Sequence, residues 1–251
     1  MKINQLVKYV LITFIISWSS WGLLVCLTHC DVITFSSPIG FILFGIGGFG
    51  PAIAAIAVLE KHSPKAVAKF LFTGNHKAVT YLLLFCALMC GAVFFSSREL
   101  NVEAGIPLYL FPIVIIVNTV IGGGLEELGW RGIMQPLLEK KMLFPFATTI
   151  TGITWAVWHL PLWFIEGSPQ HSLPYIGYIL FCLALSFGFA AIHKKSNCVL
   201  YSSIFHGFVN TVTAYFVADL NWILALGGVI MIAVALSVWY FDKRKAVKQM
   251  K

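Results

Sequence analysis

The chain has 251 residues, of which 59% are hydrophobic and only 11% charged, whereas soluble domains carry about a quarter charged residues. A water-soluble globule is excluded. The formal net charge of +7 would suggest nucleic acid in a soluble protein, but here the basic residues fall where loops and tail would meet an anionic membrane leaflet, so no nucleic-acid partner is expected.

Taken in chain order, apolar stretches near the ~20 residues a bilayer requires predict spans at roughly 8–27, 38–59, 79–97, 112–138, 144–165, 174–193, 197–218 and 221–241. The expected fold is all-α, a polytopic membrane bundle of about eight transmembrane helices forming one integral-membrane domain over 1–251. Lys2 and Lys8 precede the first apolar run as in a signal peptide, but the run is long and lacks a small-x-small cleavage site, so it reads as a retained helix. The longest polar stretch, about 60–78, contains an amphipathic piece (Ala66, Val67, Lys69, Phe70, Leu71, Phe72) expected to lie along the inner interface. Lys2, Lys8, Lys61, Lys65, Lys69, Lys77, Lys140, Lys141, Lys194, Lys195 and the basic tail from Lys243 to Lys251 all fall on one side, against Arg98 alone on the other. The positive-inside bias then predicts an N-in, C-in orientation. Cys26, Cys30, Cys86, Cys90, Cys182 and Cys198 match no zinc-ligand spacing and read as small apolar core residues.

Charges near the bilayer centre cost at least about 2.5–3.5 kcal/mol on insertion scales, so the polar residues inside the spans require an explanation. The fourth span carries Gly122-Gly123-Gly124-Leu125-Glu126-Glu127-Leu128-Gly129-Trp130-Arg131-Gly132. The glutamates could snorkel from a helix end, yet the apolar run continues through Ile133, Met134, Leu137 and Leu138 before Lys140, which places them well inside. At helical rise, Glu126 lies about 21 Å from Lys140, His159 about 22 Å from Phe144 and His206 about 16 Å from Lys195. Glu127 and Arg131, four apart, share a face, whereas Glu126 is turned about 100° away. His206 and Asn210 repeat that spacing, as do Trp155 and His159, and Pro161 loosens the turn that ends at His159. Any one of these residues alone could be an interhelical hydrogen-bonder. Together, on three helices at one depth, they point to a site.

Amide hydrolysis needs a water, a base and donors for the developing oxyanion. Glu126 and His159 can hold and polarise a water, while His206 and Asn210 can donate to the oxyanion. The same Glu126, His159 and His206 also form the two-histidine, one-carboxylate ligand set of hydrolytic zinc, and both readings stand. No serine or cysteine occupies an obvious nucleophile motif. Intramembrane carboxylates and histidines also serve proton- or cation-coupled transporters, and a non-enzymatic membrane immunity protein is a third class.

The run from Glu126 to Arg131 resembles the Glu-Glu-x-x-x-Arg signature of the CAAX protease and bacteriocin-processing (CPBP, or Abi) family of intramembrane proteases. Trp155 to His159 resembles its Phe-x-x-x-His motif with tryptophan in place of phenylalanine, and His206 to Asn210 its His-x-x-x-Asn motif. The three occur in the family's order within about 115–218. The resemblance implies that Glu126 and His159 activate water, that His206 and Asn210 form the oxyanion hole, and that Glu127 and Arg131 support them, by a glutamate-dependent or metal-dependent route. It makes the tryptophan a packing change. It further implies a peptide or membrane-protein substrate, processed in CAAX-type C-terminal cleavage or in bacteriocin maturation or immunity. The short chain without a trafficking extension is expected to be a bacterial plasma-membrane member.

Overall fold

A computed structural model describes residues 3–60, 63–96, 105–216 and 221–249. Lys2, Lys61, Arg98 and Lys251, used in the charge count, lie outside the described residues. Most of the described residues are helical, and six helical segments are long and apolar enough to cross a membrane: Gln5–His29, Pro38–Val58, Val79–Ser96, Leu108–Glu139, Tyr175–Ser196 and Trp222–Lys245. Large apolar side chains such as Ile15, Ile116, Ile176 and Val229 are more than half exposed. Such an outer surface suits lipid, and the chain is a multi-pass membrane protein.

In chain order the first helices are α1 (Ile3–His29), α2 (Pro38–Gly48), α3 (Gly50–Val58), α4 (Pro64–Phe72), α5 (Val79–Ser96) and α6 (Phe111–Val120). The motif segment comprises α7 (Glu127–Gly129) and α8 (Gln135–Glu139), and α9 (Phe144–Trp158), α10 (Tyr175–Ser196), α11 (Val199–Tyr215) and α12 (Trp222–Gln249) follow. α10 runs through the middle of the bundle, packed by α5, α9, α11 and α12. Its buried face carries Ala184, Ser186, Gly188, Ala190 and Ala191, small residues that let neighbouring backbones approach where hydrophobicity cannot draw helices together. α1 packs on α2 and α3, and α6 on α11.

Two of the eight expected spans are shorter than predicted. α9 has 15 residues and α11 has 17, against the ~20 that cross a bilayer. Pro161 accounts for the first. α9 stops at Trp158 and the chain tightens into a 3-10 turn over Leu160–Phe164, because proline supplies no N–H and crowds the preceding turn. The Trp158 carbonyl accepts from the Trp18 indole at 3.0 Å, and the Ala156 carbonyl, which takes the His159 N–H, also accepts from the Tyr175 hydroxyl at 3.3 Å.

The fourth span, expected as one helix over 112–138, is broken. α6 ends at Val120, Gly123 takes φ +110°, and a 3-10 turn over Gly124–Glu126 restarts the chain. Three consecutive glycines offer no side chains to stiffen the helix, and only glycine adopts that φ without strain. Inside lipid such a break survives where protein satisfies its backbone, and the Asn210 amide donates to the Gly122 carbonyl. Past α7 the helix widens into a π turn over Trp130–Met134 before α8, a deformation frequent at functional sites.

The amphipathic stretch forms α4, which buries no residue and is capped by the Ser63 hydroxyl accepting from the Ala66 N–H at 3.3 Å. Its Phe70 ring lies against Gly132, where any side chain would collide with it. All six cysteines are free, and Cys182 and Cys198 are buried.

Candidate active site

The motif residues converge around the break. Glu127 and Arg131, both 0% exposed, form the expected pair, with Arg131 Nη1 at 3.1 Å from each carboxylate oxygen. The other guanidinium nitrogen, Nη2, donates to the Ser186 hydroxyl at 2.8 Å, and the group lies 4.5 Å above the Phe189 ring centroid. Glu127 also accepts from His206 Nδ1 at 2.9 Å. A carboxylate only accepts, so Nδ1 carries the hydrogen and Nε2 is left to face the cavity. The residue expected to support Arg131 therefore also orients His206.

Glu126 is held differently. Its Oε2 accepts from the Trp155 indole N–H at 2.8 Å. His159 Nδ1 donates to the Trp155 backbone oxygen at 2.9 Å, which leaves His159 Nε2 available as an acceptor. Trp155 thus grips both members of the expected water-activating pair, one by side chain and one by backbone. The ring of His159 is enclosed by Trp158 at 4.5 Å, Trp155 and Tyr178 at 5.4 Å each and a stacked Trp21 at 6.4 Å.

Gly123 defines the centre of the cluster. A Cβ placed on it would stand 3.0 Å from Asn210 Nδ2, 3.0 Å from His206 Nε2 and 3.1 Å from Glu126 Oε1. Polar atoms from two motifs on two segments therefore close in on Gly123, and only a residue without a Cβ leaves them room. Asn210 spends one amide N–H on Gly122 and keeps the second.

The zinc reading can be tested against this geometry. Both histidine Nδ1 atoms are engaged, by the Trp155 oxygen and by Glu127, which leaves both Nε2 atoms uncommitted, the orientation metal-ligating histidines also take. Among the described residues no three His, Cys, Asp or Glu side chains assemble as one ligand set. Glu126, His159 and His206 would hold a metal through a Glu126 oxygen and the two Nε2 atoms.

Sequence reasoning missed three contributors. Trp155 read as a packing substitution, and nothing in the motif marks its indole N–H as a donor to Glu126. Ser186 stood out by no spacing to Arg131, being 55 positions away. The role of Gly123 was signalled by the glycine run, a recognised breaker, but the apolar flanks masked it.

Residues 108–212 match the family described as type II CAAX prenyl endopeptidase Rce1-like, a stretch holding all three motifs and close to the expected 115–218. This region is similar to that family over fewer than half of the chain's residues. A relative is CAAX prenyl protease 2 of Methanococcus maripaludis, 27% identical over 103 residues. That likeness covers 38% of this chain and 38% of the relative. The N-terminal helices α1 to α5 lie outside the matched stretch, and α1 nevertheless reaches the site through Trp18 and Trp21.

Proposed function

We propose that the chain is an intramembrane endopeptidase in which Glu126 and His159 activate water for attack on a peptide bond of a membrane-associated protein or peptide. Glu126 takes a proton from the water as its oxygen bonds to the carbonyl carbon. The carbonyl oxygen, now negative, receives hydrogen bonds from His206 Nε2 and Asn210 Nδ2. When the C–N bond breaks, the proton held by Glu126 passes to the leaving nitrogen. His206 gives its Nδ1–H to Glu127, so a proton delivered to Nε2 during the reaction would have a carboxylate counter-charge beside it.

The observation that carries this reading is the convergence of Glu126 Oε1, His206 Nε2 and Asn210 Nδ2 beside Gly123, where no side chain intervenes. Groups gathered in this way can bind a water and stabilise developing negative charge. In this scheme each step is assigned to the chain's own side chains, and a zinc ion held by Glu126, His159 and His206 would instead polarise the water. Activity is expected to survive a strong chelator such as 1,10-phenanthroline, and its loss, with recovery on adding zinc, would establish the metal route.

The name of the Methanococcus relative makes a peptide ending in a prenylated CAAX sequence the first substrate to try, with bacteriocin-type peptides as the second class. Mass spectrometry of membrane-associated peptides from cells making the wild type or Glu126→Ala tests activity and reveals substrate together. Species that accumulate uncut only with Glu126→Ala are expected, and identical peptide profiles would defeat the proposal.

A further inference from the structure

A second polar cluster lies away from the motifs, at the lysine-rich end of the bundle. Between α5, α10 and α12 runs a groove of about 380 Å³. Lys195, Tyr81, Asp242 and Lys245 form its head, and Ile230, Ala233, Val234 and Val238 form its apolar length. Lys195 bonds Asp242 at 2.7 Å and lies 5.0 Å over the Tyr81 ring, so its ammonium is fixed at the groove head. Lys245, one turn beyond Asp242, is exposed and has no ion-pair partner among the described residues.

The neighbouring cations are placed otherwise. Lys243 and Arg244 lie over Trp239 and Tyr240 of their own helix, at 5.6 and 5.7 Å, and Lys194 is paired with Glu139 at 2.6 Å. Two lysines and one aspartate thus leave the groove head with a single positive charge, and the apolar slot continues from it into the lipid-facing wall.

We propose that this groove is a binding site for an anionic phosphodiester lipid, with the phosphate between Lys245 and Lys195 and one acyl chain along Ala233, Val234 and Val238. Charge complementarity selects the occupant. A tail lying on these side chains gains little over a tail in the bilayer, because both surroundings are equally apolar. Selection therefore rests with the headgroup, where each lysine near the surface attracts an anionic lipid. Asp242 fixes Lys195 and repels a second phosphate, which limits the groove to one lipid.

Native mass spectrometry of the full chain in detergent, titrated with phosphatidylglycerol or phosphatidylcholine, tests this independently of any peptidase activity. One phosphatidylglycerol is expected to be retained in preference to phosphatidylcholine. Lys245→Ala should weaken that retention about fivefold, while Lys243→Ala changes it by less than about twofold. Ala233→Phe fills the slot without altering charge, sits on an exposed helix face that tolerates bulk, and should abolish the preference. Equal retention of the two lipids by the wild type, or an equal loss from Lys243→Ala and Lys245→Ala, would overturn the site. Displacement of the lipid by millimolar inorganic phosphate would reassign the groove to free phosphate.

Discussion

Glu126 and Glu127 are adjacent in the chain and hold opposite halves of the polar cluster. On the Glu127 side every contact is between buried, fixed groups: Arg131, Ser186 and His206 close around a carboxylate with no exposed surface. On the Glu126 side one oxygen is tied to Trp155 and the other faces Gly123. The difference teaches how a membrane site can be both stable and reactive. One carboxylate is locked between two charged or polar side chains of other turns so that the scaffold holds, and its neighbour turns one oxygen toward the backbone break.

That contrast can be broken by substitution. The largest effect should come from Glu126→Gln, which keeps the shape and the acceptor for Trp155 but removes the base. Turnover is expected to fall about 10³–10⁴-fold with little change in the thermal midpoint of the detergent-purified protein. Arg131→Ala should do the reverse in kind, since stripping the counter-charge from a buried carboxylate destabilises by about 3–5 kcal/mol. Its midpoint should drop sharply, and adding Glu127→Gln should restore part of the loss. Equal thermal losses from Glu126→Gln and Arg131→Ala would erase the distinction between the two sides.

A smaller effect is expected from Gly123→Ala. The added methyl would fill the point shared by Asn210, His206 and Glu126 and force a side chain to φ +110°, a strain of order 1–3 kcal/mol. Activity should fall about a hundredfold, more than the midpoint implies, because the methyl also pushes Asn210, His206 and Glu126 out of position. The smallest is Trp155→Phe, which restores the family's usual residue and deletes one hydrogen bond to a charged group. Turnover should drop on the order of tenfold, with KM unchanged, since such bonds contribute about 1.5–3 kcal/mol and Trp155 reaches Glu126 rather than substrate in this scheme. A pure rise in KM would place Trp155 against the substrate instead.

Much of this arrangement is legible in the residues. The spacing of Glu127 and Arg131 predicts their pairing, and counting rise from the basic boundary predicts that three segments meet at one depth. Composition and apolar run length predict a helical membrane bundle. The break at Gly123 and the π turn at Trp130–Met134 are not legible, because hydropathy sees one continuous apolar stretch and registers no hydrogen-bond pattern. Nor is the second duty of Glu127: the i, i+4 rule identifies Arg131 on the same helix and is silent about His206, 79 positions away. The shortness of α9 follows from Pro161 once its missing donor is counted, whereas α11 ends at Tyr215 without a comparable local signal.

The bond from Trp18 to the Trp158 carbonyl joins the first helix to the turn beside His159 across 140 positions. During synthesis, α1 enters the bilayer long before its acceptor exists, and the histidine that Trp21 stacks on is equally late. A nascent chain halted after α5 would carry the indoles but none of the groups they enclose. The pocket is completed only when late helices return to the earliest one, so the membrane holds a growing chain that is chemically silent for most of its translation.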